Sequence, residues 1–184
     1  PNQNIVLKKG VFKLSMRSSI QKYNLPIDIF LCSLADEKKN AAIGIILSGT
    51  GSDGTQGLLA IKEAGGITFA QDPVSAKFDG MPKSAMMADA VDYVLSPAAI
   101  AKELAELVQR PYHIFDEPVE KISLKDIGTK RSVGDKPIRK IFSLLYKTMR
   151  VDFSGYKRTT ILRRILRRLF VLKISDFEAY VSYL

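Results

Sequence analysis

The sequence has 184 residues, 46% hydrophobic and 26% charged, with a formal net charge of +9. This is the profile of an ordinary globular chain with room for one medium domain and a small one. A single cysteine, Cys32, and a single histidine, His113, exclude an internal disulfide and an ordinary Cys/His zinc site, so no metal is expected and a reducing, cytoplasmic setting is the natural reading. No apolar run approaches the ~18 residues of a membrane span, and no charged-then-apolar signal opens the chain. The charge is uneven: residues 1 to 110 hold 12 Lys/Arg against 11 Asp/Glu, and residues 111 to 184 hold 16 against 8. That asymmetry predicts two modules, the second facing an acidic partner. The opening at Pro1, without Met, reads as mid-domain sequence and suggests a fragment of something longer.

Taken in order, Ile5 to Lys9 and Val11 to Ser15 flank Gly10 as a hairpin. Met16 to Asn24 is polar and loop-like. Pro26 to Ala35 fits a helix with Ile27, Phe30, Leu31 and Leu34 on one face, Cys32 in the core, and a charged exit to Asn40. Ala42 to Leu47 is a near-continuous apolar run, as for a strand buried on both faces. Gly49-Thr50-Gly51-Ser52-Asp53-Gly54 is a tight turn, Thr55 to Ala64 a helix stopped by Gly65-Gly66, and Ile67 to Ala70 a second strand. Strand, loop, helix and strand make a parallel pair with a right-handed crossover, and sites in such sheets form beyond the carboxyl ends of the strands. Asp72 to Pro82 is a loop, Lys83 to Ala90 a short helix with Pro82 at its start, and Val91 to Leu95 a third strand. Ser96 as N-cap and Pro97 at N1 then open a helix to about Gln109. Pro111 to about Lys136 lacks periodicity and reads as an interdomain linker. Three helices are expected beyond it: from Ile138, from about Tyr156 to Leu172, and after Ser175 as N-cap. The fold class is therefore α/β, a partial doubly wound parallel sheet over residues 1 to 110, followed by a small all-α subdomain over 137 to 184.

The glycine loop leaves three readings open. It is a plain turn with Asp53 or Thr55 capping the next helix, or Asp53 is a catalytic or orienting acid. Alternatively, Gly49, Gly51 and Gly54 form a G-x-G-x-x-G dinucleotide loop, with Asp72 near the position of a ribose-binding acid. Asp53 opposes the third, because a fixed negative charge sits where a pyrophosphate would be cradled.

The stretch IILSGTGSDGTQGLLAIKEAGG, with AQDP and FDGMPKSA after it, resembles the catalytic domain of the chemotaxis protein-glutamate methylesterases over about residues 1 to 110. The resemblance implies a doubly wound α/β fold with a Ser-His-Asp triad whose Asp is Asp53, holding the imidazole in the right tautomer. It places the Ser and His of that triad ahead of the segment that begins at Pro1, so this chain alone is expected to be inactive. It further implies an oxyanion-hole and active-site-loop role for Thr50, Gly51 and Met81, with Thr50 standing where the family often has Met. His113, at the edge of the linker, is expected to have a local structural or solvent role, and Ser48 and Ser52 lie too near Asp53 in sequence to complete a triad with a distant His.

Residues 156 to 172 place Ile161, Leu162, Ile165, Leu166, Leu169, Phe170 and Leu172 on one half of a helix and Lys157, Arg163, Arg164, Arg167 and Arg168 on the other. The plain reading is a solvated face on a core helix, but four arginines without an acid on the same helix repel one another, which favours an acidic partner; nucleic acid fits the charge, though no aromatic stacks are interleaved. MRVDFSGYKRTTILRRILRRL, followed by SDFEAYVSYL, resembles the N-terminal helical subdomain of the chemotaxis receptor methyltransferases. This implies that Arg163, Arg164, Arg167 and Arg168 face the methylated cytoplasmic helices of a methyl-accepting chemoreceptor. S-adenosylmethionine would belong to the complete methyltransferase, and no cofactor residue is expected in this chain. Together the resemblances predict a methylesterase–methyltransferase fusion in the cytoplasm, with no nucleic acid partner and no membrane insertion. The alternatives are a non-catalytic receptor-binding adaptor and a dinucleotide-binding domain using Gly49 to Gly54.

Overall fold

The computed structural model describes residues 2–17, 23–109, 135–153, 155–156 and 158–184, with the side chains of 108, 135, 136, 158, 159 and 163 excepted. The chain divides into two compact units, 1–110 and 111–184. The linker expected at 111–136 lies almost wholly outside the described residues, as does His113.

The first unit opens with an antiparallel hairpin, β1 (Gln3–Lys8) and β2 (Val11–Met16). Its turn is Lys9-Gly10, both with positive φ (54° and 73°), the twist a two-residue hairpin favours. The Glu37 carboxylate accepts from the Lys9 and Gly10 N–H groups at 3.0 and 2.8 Å, tying the turn to the next helix. That helix, α1 (Pro26–Lys38), continues into a 3₁₀ turn (Lys39–Ala41). It runs about a turn past the expected end, because Glu37 and Lys38 are good helix formers and carry it past Asp36. Cys32 is half-buried rather than core.

A three-stranded parallel sheet follows in the order β3 (Ile43–Ile46), β4 (Ile67–Gln71) and β5 (Tyr93–Leu95). Its crossovers carry α2 (Thr55–Glu63) and α3 (Gly80–Met87), and α4 (Pro97–Gln109) comes after. All five residues of β4 are buried, as a central strand requires, and Phe69 stacks on Tyr93 at 4.9 Å between ring centroids. The first strand departs from expectation. β3 alternates, with Gly44 and Ile46 buried and Ile45 and Leu47 exposed at 36% and 49%. It is an edge strand of this sheet; Gly44 and Ile46 lie against Leu58 and Ile61 of α2, while Ile45 and Leu47 are exposed among the described residues. The core on that face joins Leu31, Ala35, Ile46, Leu58, Ile61, Ala85 and Ala90.

Helix α3 starts three residues earlier than expected. Pro82 sits inside the first turn, where its missing N–H costs nothing, and Lys83 N donates to Asp79 O at 2.9 Å to close that turn. Ser96 does cap α4: its hydroxyl accepts from Ala99 N at 3.4 Å.

The second unit has α5 (Asp135–Met149), α6 (Arg158–Val171) and α7 (Phe177–Tyr183). Ile138 and Ile141 of α5, Ile161, Leu162, Ile165, Leu166 and Leu169 of α6, and Phe177 and Tyr180 of α7 form one core. Asp176, not Ser175, caps α7. Its Oδ1 accepts from Ala179 N at 2.7 Å, and Ser175 instead donates to the same carboxylate at 2.9 Å. A carboxylate at this end complements the helix dipole better than a hydroxyl. No helix among the described residues is long and apolar enough to cross a membrane.

Candidate active-site loop and basic helix

The 49–54 loop leaves the carboxyl end of β3. Gly51 and Gly54 have φ of 83° and 97°, a left-handed backbone that strains other residues. Gly54 is the N-cap of α2 and offers no side-chain cap, so neither Asp53 nor Thr55 caps that helix. Thr55 bonds across to Ser84 of α3 at 3.0 Å.

Asp53 reaches a different helix. Its Oδ2 accepts from Ile27 N at 3.1 Å and its Oδ1 from Asp28 N at 2.9 Å. These are donors in the first turn of α1, whose own N-cap, Leu25, supplies no side-chain bond. Both carboxylate oxygens are thereby fixed, with lone pairs left for a further donor. The negative charge complements the positive end of the α1 dipole.

The loop is bound to the segment before α3 by backbone bonds. Gly49 N donates to Phe78 O and Met81 N to Gly49 O, each at 2.9 Å. A β-carbon on Gly80 would lie 3.0 Å from Gly51 N, a tight contact that would press the two segments apart by a few tenths of an ångström. Met81 packs its sulfur against Gly49 and lies half-buried against the core. Thr50 is exposed, and its N–H makes no hydrogen bond among the described residues. Ser48 has its hydroxyl oxygen taken by Phe78 N at 2.9 Å. Its N–H donates at 2.9 Å to Oε1 of the buried Gln71, whose Nε2 donates to Ser75 Oγ at 3.1 Å.

Asp72, the candidate ribose acid, is turned to its own loop. It accepts from the Ser75 N–H and hydroxyl at 2.9 and 2.6 Å, bonds that hold its carboxyl below the usual value. Sequence reasoning missed Asp28 and Gln71. An acid in a first helical turn reads as a dipole partner, and only the fold shows Asp28 buried, with its carboxylate accepting from Gly57 N at 2.8 Å. Burial first, and the nearby Asp53 charge after it, raise the Asp28 pKa against the pull of its backbone donors. Among the described residues no group of three or more His, Cys, Asp or Glu could hold a metal ion.

In the second unit, α6 buries Ile161, Leu162, Ile165, Leu166 and Leu169, while Phe170 and Leu172 are half-buried. Arg164 and Arg168 are exposed and Arg167 is half-buried. The side chain of Arg163 and all of Lys157 lie outside the described residues.

Comparison with known proteins matches two segments of the chain. Residues 1–104 match the family model "CheB methylesterase" and residues 136–184 match "CheR methyltransferase, all-alpha domain". A Rhodobacter capsulatus protein described as an uncharacterized 104.1 kDa protein is 35% identical over 88% of this chain and 18% of its own length. A Leptospira interrogans putative protein-glutamate methylesterase/protein-glutamine glutaminase is 38% identical over 59% of this chain and 57% of its own length. A Pseudomonas aeruginosa protein-glutamate methylesterase/protein-glutamine glutaminase is 44% identical over 55% of this chain and 30% of its own. The chain thus spans less than two thirds of each of these relatives. The crystal structure of the Thermotoga maritima CheB methylesterase catalytic domain aligns with a TM-score of 0.51 and 32% identity, covering 58% of this chain and 57% of that one. The two matched segments, in this order, support a chemotaxis methylation-related fusion. With its parallel sheet, its glycine loop and a family match over residues 1–104, the chain belongs to the CheB methylesterase family.

Proposed function

We propose that this chain is part of a bifunctional, cytoplasmic chemoreceptor-modifying protein. Its first unit contributes to hydrolysis of glutamate methyl esters, and its second docks the receptor for glutamate methylation. The observation that carries this reading is the pair of family matches in a single chain, a methylesterase followed by the helical part of a methyltransferase. In the hydrolysis, a serine oxygen attacks the ester carbonyl and an imidazole takes its proton. The imidazole returns that proton to the departing methoxide, giving methanol, and water then cleaves the acyl-enzyme. The serine and imidazole are not assigned to this chain. Asp53, anchored through two backbone N–H groups, would orient the imidazole and balance its positive charge. The unbonded N–H of Thr50 suits an oxyanion donor, Gly51 shapes the loop that presents it, and Met81 supports the loop by packing beneath Gly49.

In the second unit Arg163, Arg164, Arg167 and Arg168 would meet the acidic methylation helices of the receptor as a group. S-adenosylmethionine would belong to the rest of the methyltransferase, so no step here runs through that cofactor. The test is methanol release from a methylated chemoreceptor fragment by the full-length protein that contains this chain, with S-adenosylmethionine-dependent methylation measured in parallel. Absence of both activities, with tight receptor binding retained, favours the non-catalytic adaptor.

A further inference from the structure

Helices α1 and α2 each lack a side-chain cap of their own. Each is capped instead by a carboxylate from the other's chain segment. Asp53, one residue before the N-cap of α2, accepts from Ile27 N and Asp28 N at the start of α1. Asp28, in the first turn of α1, accepts from Gly57 N in the first turn of α2 at 2.8 Å. These three bonds form a closed ring through the backbones of residues 27–28 and 53–57. Asp28 is 7% exposed, and burying a carboxylate is costly unless its lone pairs are used. A glycine at 57 lets α1 come close enough for the ring to close, since a β-carbon there would collide with Leu31.

We propose that Asp28 is a positioning residue for Asp53: the reciprocal clasp between their carboxylates and the two helix N-termini fixes where the Asp53 carboxylate is presented. This rests on the proposed role of Asp53 as the acid that orients an imidazole. Asp28 touches no reacting atom. It acts by locking the start of α2, and with it the last turn of the glycine loop, against the start of α1. Local N-capping would hold each helix alone, whereas the clasp adds a polar register to the apolar packing of Leu31 and Ala35 against Leu58 and Ile61. Misplacement of an orienting group by even ~1 Å is enough to lower turnover about 100-fold.

The test uses Asp28→Asn, Asp28→Glu and Asp28→Ala. Asparagine keeps an acceptor oxygen at the same reach, glutamate keeps the charge but moves the oxygen by one methylene, and alanine removes the acceptor. In this 184-residue chain, hydrogen exchange of the Ile27 amide, a donor to Asp53, reports the far side of the ring. Its protection is expected to fall about 5- to 10-fold in Asp28→Glu and Asp28→Ala, the loss of a cap, and to be largely restored in Asp28→Asn. In the full-length protein, the glutamate and alanine variants are expected to lower esterase kcat with KM unchanged, and asparagine to recover most of the loss. Unchanged Ile27 protection in the folded variants overturns the clasp. If Asp28→Ala does not fold, the glutamate and asparagine variants still decide. If Asp53→Asn leaves turnover intact, the role of Asp53 fails while the exchange data still judge the clasp, so the two failures are distinguishable.

Discussion

Replacing Gly57 with alanine sets two effects of opposite sign against each other. Gly57 lies within α2, where alanine is favoured over glycine by about 0.5–1 kcal/mol. The added methyl, however, would run into the Leu31 β-carbon and lie 3.1 Å from Leu31 Cδ1 and 3.2 Å from Leu31 Cγ. A β-carbon cannot rotate away, so α1 and α2 would have to part. Overpacking of this kind costs about 1–3 kcal/mol. Parting the helices also stretches the 2.8 Å bond from Gly57 N to Asp28, and an unsatisfied buried carboxylate costs at least another ~1 kcal/mol. The sterics win, with an expected net loss of about 1–3 kcal/mol in the first unit. Urea unfolding followed by amide signals of β4, which belong to that unit alone, measures it without interference from the helical unit. A variant more stable than wild type by ~0.5 kcal/mol or more would show that helix propensity decides, and that α1 and α2 do not approach as closely as described.

Three further outcomes are expected. Asp176→Ala should destabilise the helical unit by about 1 kcal/mol, as for loss of an N-cap, with α7 amide protection as the readout. The Asp176 pKa is lowered below 3.8 by its bonds to Ala179 N and Ser175; its stabilisation is therefore complete above that value and is lost as pH falls through the folded value, and acid titration of wild type against the variant checks the sign. Asp28 behaves oppositely. Its folded pKa is raised above 3.8, so its contribution is present below that value and is lost as pH rises through the folded value; the stability of Asp28→Asn relative to wild type should rise between pH 4 and pH 7, and a flat difference would contradict the burial assigned to it. Arg164→Glu with Arg168→Glu should weaken binding to a glutamate-rich receptor peptide and flatten its salt dependence without unfolding the unit, because both side chains are exposed; tighter binding of duplex DNA than of peptide at physiological salt would favour nucleic acid as the partner instead.

The elements that sequence reasoning located well are those with local causes. Lys9-Gly10 between alternating strands, Ser96-Pro97 at a helix start, and apolar residues three and four apart in α6 each act through neighbours in the chain. The departures come from contacts between distant segments. An apolar run such as Ala42 to Leu47 does not state how many neighbours a strand has, and β3 lies at an edge. Asp53 looks like a cap for the helix that follows it, yet it caps a helix that begins 27 residues earlier in the chain, at Pro26. Ser175 has the chemistry of an N-cap, but the adjacent Asp176 supplies a stronger one. Asp28 carried no signal of burial, because its partner Gly57 meets it only when α1 and α2 pack.

The most direct test of the account is esterase turnover of the full-length protein with Asp53→Asn. Asparagine can still accept from Ile27 N or Asp28 N through one oxygen, so the fold should survive, but it cannot hold an imidazole as a carboxylate does. The expected result is a folded variant whose methanol release from methylated receptor falls by up to ~10⁴. Turnover equal to wild type, in a variant with the same Ile27 and Asp28 amide environment, would contradict it and leave Asp53 as a helix cap alone.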